Sequence, residues 1–230
     1  MRNVPPAQPR VVIVDYEMGN LFSVRQACEY AGLHALISRD KNDLLSAEGL
    51  ILPGVGAFGE AMRHLRRLDL ISPIVDFIQS GKPFLGICLG MQLLMACSEE
   101  FGMHQGLNIF PGSVRRFSPV DINHFSCKVP QVGWNQIFFP PQFSNPDLWE
   151  QTPLKNLDQG EYMYFVHSYY VEPQDSDKIL SMTEYAGKKY CSSLSWKNIF
   201  AVQFHPEKSA QKGIQIYQNW AAMVAHGSSN

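Results

Sequence analysis

Two short runs of the chain carry residue types that can do covalent chemistry. The first is Lys82–Gln92, in which Gly86 and Gly90 stand two residues on either side of Cys88. It begins as an apolar run, Pro83–Ile87, and passes through the cysteine into a segment of helical character, Leu89–Ala96. This is the pattern of a nucleophile elbow with cysteine in the place of serine. A strand-to-helix reversal sharp enough to push one side chain into a cleft brings backbone segments together, and glycine tolerates that approach. The elbow also leaves the thiol at a helix N-terminus, where orphan N–H groups and the macrodipole favour a thiolate. A buried core cysteine at the end of a central strand explains the same residues equally well, since free cysteine is commonly buried.

The second run is His205-Pro206-Glu207, directly after the apolar stretch Ile199–Phe204. On an extended backbone, residues i and i+2 point to the same side, and proline keeps the chain extended. Glu207 can therefore orient the His205 imidazole, giving a base and its orienter that need only a nucleophile. A metal site would need a third ligand nearby, and none is evident. With a glycine-flanked cysteine at another strand end, a Cys-His-Glu triad becomes the leading chemistry.

These residues need a scaffold of strand ends, and the chain supplies one. Val11–Asp15, Ala35–Ser38 and Gly49–Leu52 are short apolar runs of buried parallel strands. Between the first two, Asn20 can cap a helix whose face is Leu21, Val24, Cys28 and Ala31, with Gly32 stopping it. Strands alternating with helices predict an α/β fold: a single open, mostly parallel sheet with helices on both faces, plus a few antiparallel strands. The loop Leu52–Gly59 holds Gly54, Gly56 and Gly59, so its backbone N–H groups can approach a ligand oxygen; it also reads as a tight turn into a helix. No Gly-Lys-Ser/Thr follows to make it a phosphate loop.

Glu60–Ser80 reads as helical with a break near Asp69–Pro73, and Ser98-Glu99-Glu100 reads by default as solvated charge. Gly112–Phe117, Trp134–Phe139, Tyr162–Tyr170, Ile179–Tyr185 and Tyr190–Leu194 read as strands. Asn145–Pro153 reads as loop or short helix, and Gln211–Ala225 as a final helix turning Ile214, Tyr217 and Met223 inward. His167 and Ser168 lie inside an aromatic strand, where a lone histidine reads first as structural.

The 230 residues are 45% hydrophobic and 17% charged, with a net charge of −2, which gives no electrostatic case for nucleic acid or membrane binding. No apolar run reaches the length of a membrane span. Residues 1–10, with three prolines and no hydrophobic segment, read as a loose tail rather than a signal peptide, and 11–230 as one domain. The five cysteines, Cys28, Cys88, Cys97, Cys127 and Cys191, never form a Cys-x-x-Cys pair, which argues against disulfides and zinc and for a reducing cytoplasm.

Taken together, these runs resemble the class I, or triad, glutamine amidotransferases. The matching blocks are Asp15–Leu21, Leu52–Phe58, Lys82–Leu94, Pro111–Phe117, Val129–Asn135, Tyr164–Tyr169 and Asn198–Ser209. Gly-x-Cys-x-Gly with a distant His-Pro-Glu belongs to the superfamily at large. Tyr-Phe-Val-His-Ser-Tyr and Gln-Phe-His-Pro-Glu-Lys-Ser narrow the resemblance to its histidine-pathway glutaminase subunits. The resemblance implies that Cys88 attacks the side-chain amide of glutamine, His205 protonates the departing ammonia and Glu207 holds His205. It implies an oxyanion site from the backbone N–H of Leu89 and of Val55 or Gly56, and a glutamine site from Gly54, Gly56, Gln92, Glu100, His167 and Ser168. It implies no cofactor and no metal. The partner would be a (β/α)8-barrel cyclase subunit in a heterodimer, receiving ammonia at a face that includes Asn20 and Lys208. The chain departs from the family pattern at Glu17, where a glycine is usual, and at Gln131-Val132, where His-Met is usual. Both blocks resemble the partner-facing surface, so a paralogous glutaminase feeding another amidation stays open beside the first assignment. A catalytically silent regulatory subunit and a flavodoxin-like module are the readings from other classes.

Overall fold

In the computed structural model, residues 8–118, 128–141 and 146–227 are described. Of the sequence expectations, the tail up to residue 7, Cys127 and Asn145 lie outside them. The apolar runs form the parallel half of the sheet: β1 (Arg10–Val14), β2 (His34–Ser38), β3 (Gly49–Leu52), β4 (Phe84–Ile87) and, much later in the chain, β13 (Ile199–Val202). They lie in the order β2-β1-β3-β4-β13, and every neighbouring pair is parallel.

Beyond β13 the sheet continues through β12 (Lys188–Trp196), β10 (Tyr169–Pro173), β7 (Phe110–Arg116), β5 (Met95–Ser98) and β6 (His104–Gln105), with β11 (Ile179–Tyr185) paired to β12. All these added pairings except β5 with β7 are antiparallel. A separate antiparallel ribbon is made by β8 (Gln131–Ile137) and β9 (Glu161–His167).

Alternate residues of the parallel strands enter opposite cores, as the period of two requires. Val12, Val14, Leu50 and Leu52 pack under α2 (Lys41–Ser46), α3 (Phe58–Arg67) and α4 (Ile71–Gln79), meeting Leu44, Met62, Leu65 and Phe77. Val11, Ile13, Ile51 and Leu85 pack under α1 (Leu21–Tyr30) and α6 (Ala210–Gly227), meeting Val24, Cys28, Tyr217 and Trp220. Helices thus cover both faces of the sheet. Asn20 caps α1 as expected, its side chain accepting from the Ser23 N–H at 3.3 Å.

Several boundaries differ from the sequence expectation. Arg10 belongs to β1, tied by its N–H to Glu48 and by its guanidinium to Asp43, both at 2.6 Å. The helix expected over Leu89–Ala96 is α5 (Leu89–Leu93), and the chain then enters β5. The N–H groups of Leu107, Ile109 and Phe110 take the carbonyls of Leu93 and Leu94, so the helix gives way to sheet pairing. The expected strand Tyr162–Tyr170 is two strands, broken at Ser168 where the chain leaves the ribbon for the main sheet. Met223 is only partly buried; Ile216, Trp220 and Val224 join Tyr217 on the inner face of α6.

Candidate active site

β4 and β13 are parallel neighbours, with Ile87 opposite Val202, so the residues following each strand emerge side by side. Ligands of open α/β sheets bind at such carboxyl ends. Cys88 follows β4 and His205 follows β13, and the Cys88 N–H donates to the Val202 carbonyl at 2.7 Å. Cys88 has φ +53°, a left-handed conformation that a non-glycine residue holds only where the surroundings enforce it. The flanking glycines are what permit the elbow. A Cβ on Gly90 would stand 1.7 Å from the Leu52 carbonyl oxygen.

His205 Nδ1 lies 2.8 Å from Glu207 Oε1, and both side chains are buried. The pairing is the one expected, but the backbone is not extended throughout. His205 itself is extended, whereas Pro206–Lys208 form a 3-10 turn with proline at its start, where a fixed φ and a missing N–H cost nothing. Burial alone would lower the His205 pKa; the charges of Cys88 and Glu207 outweigh it and raise it to about 10. His205 Nε2 is buried without a hydrogen-bond partner among the described residues, and its electrostatic coupling to Cys88 joins the two into one site.

A cleft of about 420 Å³ opens over Cys88. Val55, Gly56, Leu89, Gln92, Glu100, His167, Ser168 and Lys208 line it, so most of the residues singled out in the sequence meet there. His205 is not part of this lining, and Glu207 lines a separate groove beside α1. Asn20 is exposed at the start of α1. Glu100 is not a solvated charge. It is buried, accepts from the Phe58 N–H at 2.5 Å, and has its pKa raised by burial against that hydrogen bond.

The N–H of Leu89 is engaged, donating to the Gly54 carbonyl at 3.3 Å. The loop carrying that carbonyl is anchored by the Tyr16 hydroxyl, which donates to the Pro53 carbonyl at 2.7 Å. Gly56, with φ +114°, sits over the Met18 side chain.

His167 closes the far wall. Its Nδ1 donates to the Tyr169 carbonyl at 2.7 Å, and its Nε2 lies 3.3 Å from the Tyr190 hydroxyl, which donates to Gln131 at 3.0 Å. Burial pushes its pKa down to about 4. Above pH 6.5 the ring is neutral folded and unfolded; as pH falls from 6.5 towards 4, only the unfolded chain takes up the proton, so stability is lost. The full loss is on the order of 3 kcal/mol. His205, with its raised pKa, is protonated throughout this window in the folded chain and only below about pH 6.5 in the unfolded one, so it adds stability as pH falls. The wild type and His167→Gln share that contribution, and it cancels between them. Urea midpoints at pH 7 and pH 5 are therefore expected to fall further for the wild type than for His167→Gln; equal falls would contradict a buried neutral ring.

Four features were not anticipated. Gln203, fully buried at the end of β13, donates to Cys88 Sγ at 3.6 Å. Its signal was a polar residue inside an otherwise apolar terminal strand run. Tyr16 buttresses the glycine loop, as given above. Gln131 is buried against Tyr190 rather than placed on a partner-facing surface, while its neighbour Val132 is 60% exposed. Glu17 holds φ +70° and is engaged by Arg39, Arg67 and His64. Among the described residues, no group of three or more His, Cys, Asp and Glu could hold a metal ion.

Comparison with known proteins matches residues 12–223 to the family described as glutamine amidotransferase class-I. The "Imidazole glycerol phosphate synthase subunit HisH" of Syntrophotalea carbinolica is 46% identical over 93% of this chain and 100% of its own. The protein of the same name from Aquifex aeolicus is 44% identical over 92% of this chain and 95% of its own. The solved structure of PurLQS from Thermotoga maritima shares the fold, with a TM-score of 0.65 and 22% identity over 93% of this chain and 97% of that one.

Proposed function

The chain belongs to the class-I glutamine amidotransferases, and from that premise we propose that it is the glutaminase subunit of an imidazole glycerol phosphate synthase. It hydrolyses glutamine to glutamate and passes the ammonia to a (β/α)8-barrel cyclase subunit in histidine biosynthesis. The observation that carries this assignment is the 46% identity to a subunit of that name across that subunit's whole length.

The mechanism follows from the order of groups around Cys88. Its thiolate attacks the δ-carbonyl of glutamine, forming a C–S bond. The C–N bond then breaks as His205 gives its proton to the departing ammonia. Water next adds to the thioester, losing a proton to His205, and the thiolate leaves as glutamate is released. Glu207, 2.8 Å from the imidazole, holds the ring and balances its charge throughout. Glu100 faces the substrate's α-ammonium group, and Gly54, Gly56, Gln92, His167 and Ser168 complete its site. The oxyanion is met by the N–H of Leu89 together with that of Val55 or Gly56.

The outer face of the β8–β9 ribbon supports a docking surface beside the cleft. Val132, Trp134 and Tyr162 are 60%, 52% and 52% exposed on it, and Lys208 lies over the Tyr164 ring. An exposed apolar patch of this kind marks an interaction site; Lys208 borders it, and Asn20, exposed at the start of α1, is assigned to the same partner. No helix among the described residues is long and apolar enough to cross a membrane, which fits the proposed cytoplasmic enzyme.

A glutamine-like diazo-ketone tests the nucleophile. It is expected to label Cys88 alone: burial pushes the thiols of Cys28 and Cys191 well up, whereas Cys88 opens on the cleft. Peptide mapping that placed the label on another cysteine would overturn the assignment.

A further inference from the structure

Gln203 has no part in the mechanism above, yet its side chain touches the reacting sulfur. Its orientation follows from a fixed point. The Tyr169 carbonyl can only accept, so the atom of Gln92 that lies 3.0 Å from it must be the amide nitrogen. That same nitrogen donates to Gln203 Oε1 at 3.0 Å. With its oxygen turned towards Gln92, Gln203 presents its NH2 group to Cys88 Sγ, 3.6 Å away. Both glutamines are buried, at 5% and 0% exposure.

We propose that Gln203 is a further catalytic residue: its amide N–H is a dedicated donor to the Cys88 sulfur, aimed by Gln92 and, through it, by the Tyr169 backbone. The inference rests on Cys88 being the nucleophile. A thiolate accepts a hydrogen bond more strongly than a neutral thiol or a thioester, so the contact favours the reactive form. It also gives the sulfur a hydrogen-bond donor beside the charge of the imidazolium. Among the described residues, the other ionisable groups near this sulfur include His205 with Glu207 behind it, in the turn after β13, and Tyr16, in the loop after β1, while Glu100 and Lys208 line the same cleft. His167, at the end of β9, feels the charge of His205 rather than acting on it. None of them replaces an amide donor.

The experiment is the pH dependence of Cys88 alkylation by iodoacetamide in the wild type, Gln203→Met and Gln203→Glu. Methionine keeps the volume and removes the donor; glutamate keeps the shape and sets a negative charge beside the sulfur. The midpoint is expected to rise by about one pH unit in Gln203→Met, with a tenfold slower reaction on its acidic side, equivalent to ~1.4 kcal/mol. Gln203→Glu should move it further, and the plateau at high pH should be kept. A merely structural role would lower the plateau and leave the midpoint in place, and that result in either variant overturns the proposal. In the wild type, the Gln203 side-chain amide protons should shift in NMR spectra through the same midpoint. Amide signals indifferent to it would equally overturn the proposal. Wild-type alkylation that misses Cys88 would instead refute the nucleophile assignment, so the two failures are distinguishable.

Discussion

Cys88→Ala is expected to lower glutamate release from glutamine on the order of 10⁴-fold or more, because among the described residues no other thiol lines the cleft to take the covalent route. The fold should survive. Cys88 is buried but contributes a single sulfur, and its constraints come from the Val202 carbonyl and the flanking glycines rather than from its side chain. In the proposed complex, product formation from added ammonia should persist, since the acceptor chemistry belongs to the partner. That split separates loss of the nucleophile from loss of the complex. A Cys88→Ala chain that still released glutamate at the wild-type rate would exclude the thioester route.

The site was legible in the sequence where chemistry and backbone sterics act locally. Gly90 is needed because the elbow brings the chain against Leu52, Gly86 because its Cβ would press on Gly90 and Ala201, and the pairing of His205 with Glu207 needs only two residues of separation. What joins the two halves, the parallel pairing of β4 with β13, follows from the apolar strand pattern and the rule for strand ends. Features that depend on which sheet a strand joins were not legible. Tyr162–Tyr170 is mostly aromatic and reads as one strand, and the polar pair His167-Ser168 does not by itself mark the change of sheet at Ser168 that sets His167 against the cleft. Gln131 and Val132 exchange roles by strand parity alone. One residue of register decides which is buried against Tyr190 and which is exposed. The short α5 was missed because its end is set by carbonyls captured from the distant segment Leu107–Phe110.

The second large effect expected is activation by the proposed barrel partner, by about a hundredfold. In the free chain the Gly54 carbonyl occupies the Leu89 N–H, the donor needed for the oxyanion. The Gly54 carbonyl and the Val55 N–H belong to one peptide unit. Rotating that unit withdraws the carbonyl from Leu89 and turns the Val55 N–H towards the same point. Glycine at position 54 tolerates the change in backbone angles, while the Tyr16 hydroxyl holds the preceding Pro53 carbonyl as a pivot. A hundredfold rate increase requires ~2.7 kcal/mol, within the range of one oriented oxyanion donor. The partner supplies it by binding the rotated form more tightly than the resting one. Lys208 lines the cleft mouth and packs on Tyr164 of the ribbon. Lys208→Ala is therefore expected to reduce affinity for the partner or activation by it, with little change in the slow rate of the free chain.

Steady-state glutamate release by the wild-type chain, alone and saturated with the barrel subunit and that subunit's own ligand, tests the central claim most directly. The account predicts a slow free chain accelerated about a hundredfold in the complex. A free chain already turning over at the rate of the complex would contradict both the blocked oxyanion donor and the dependence on a partner.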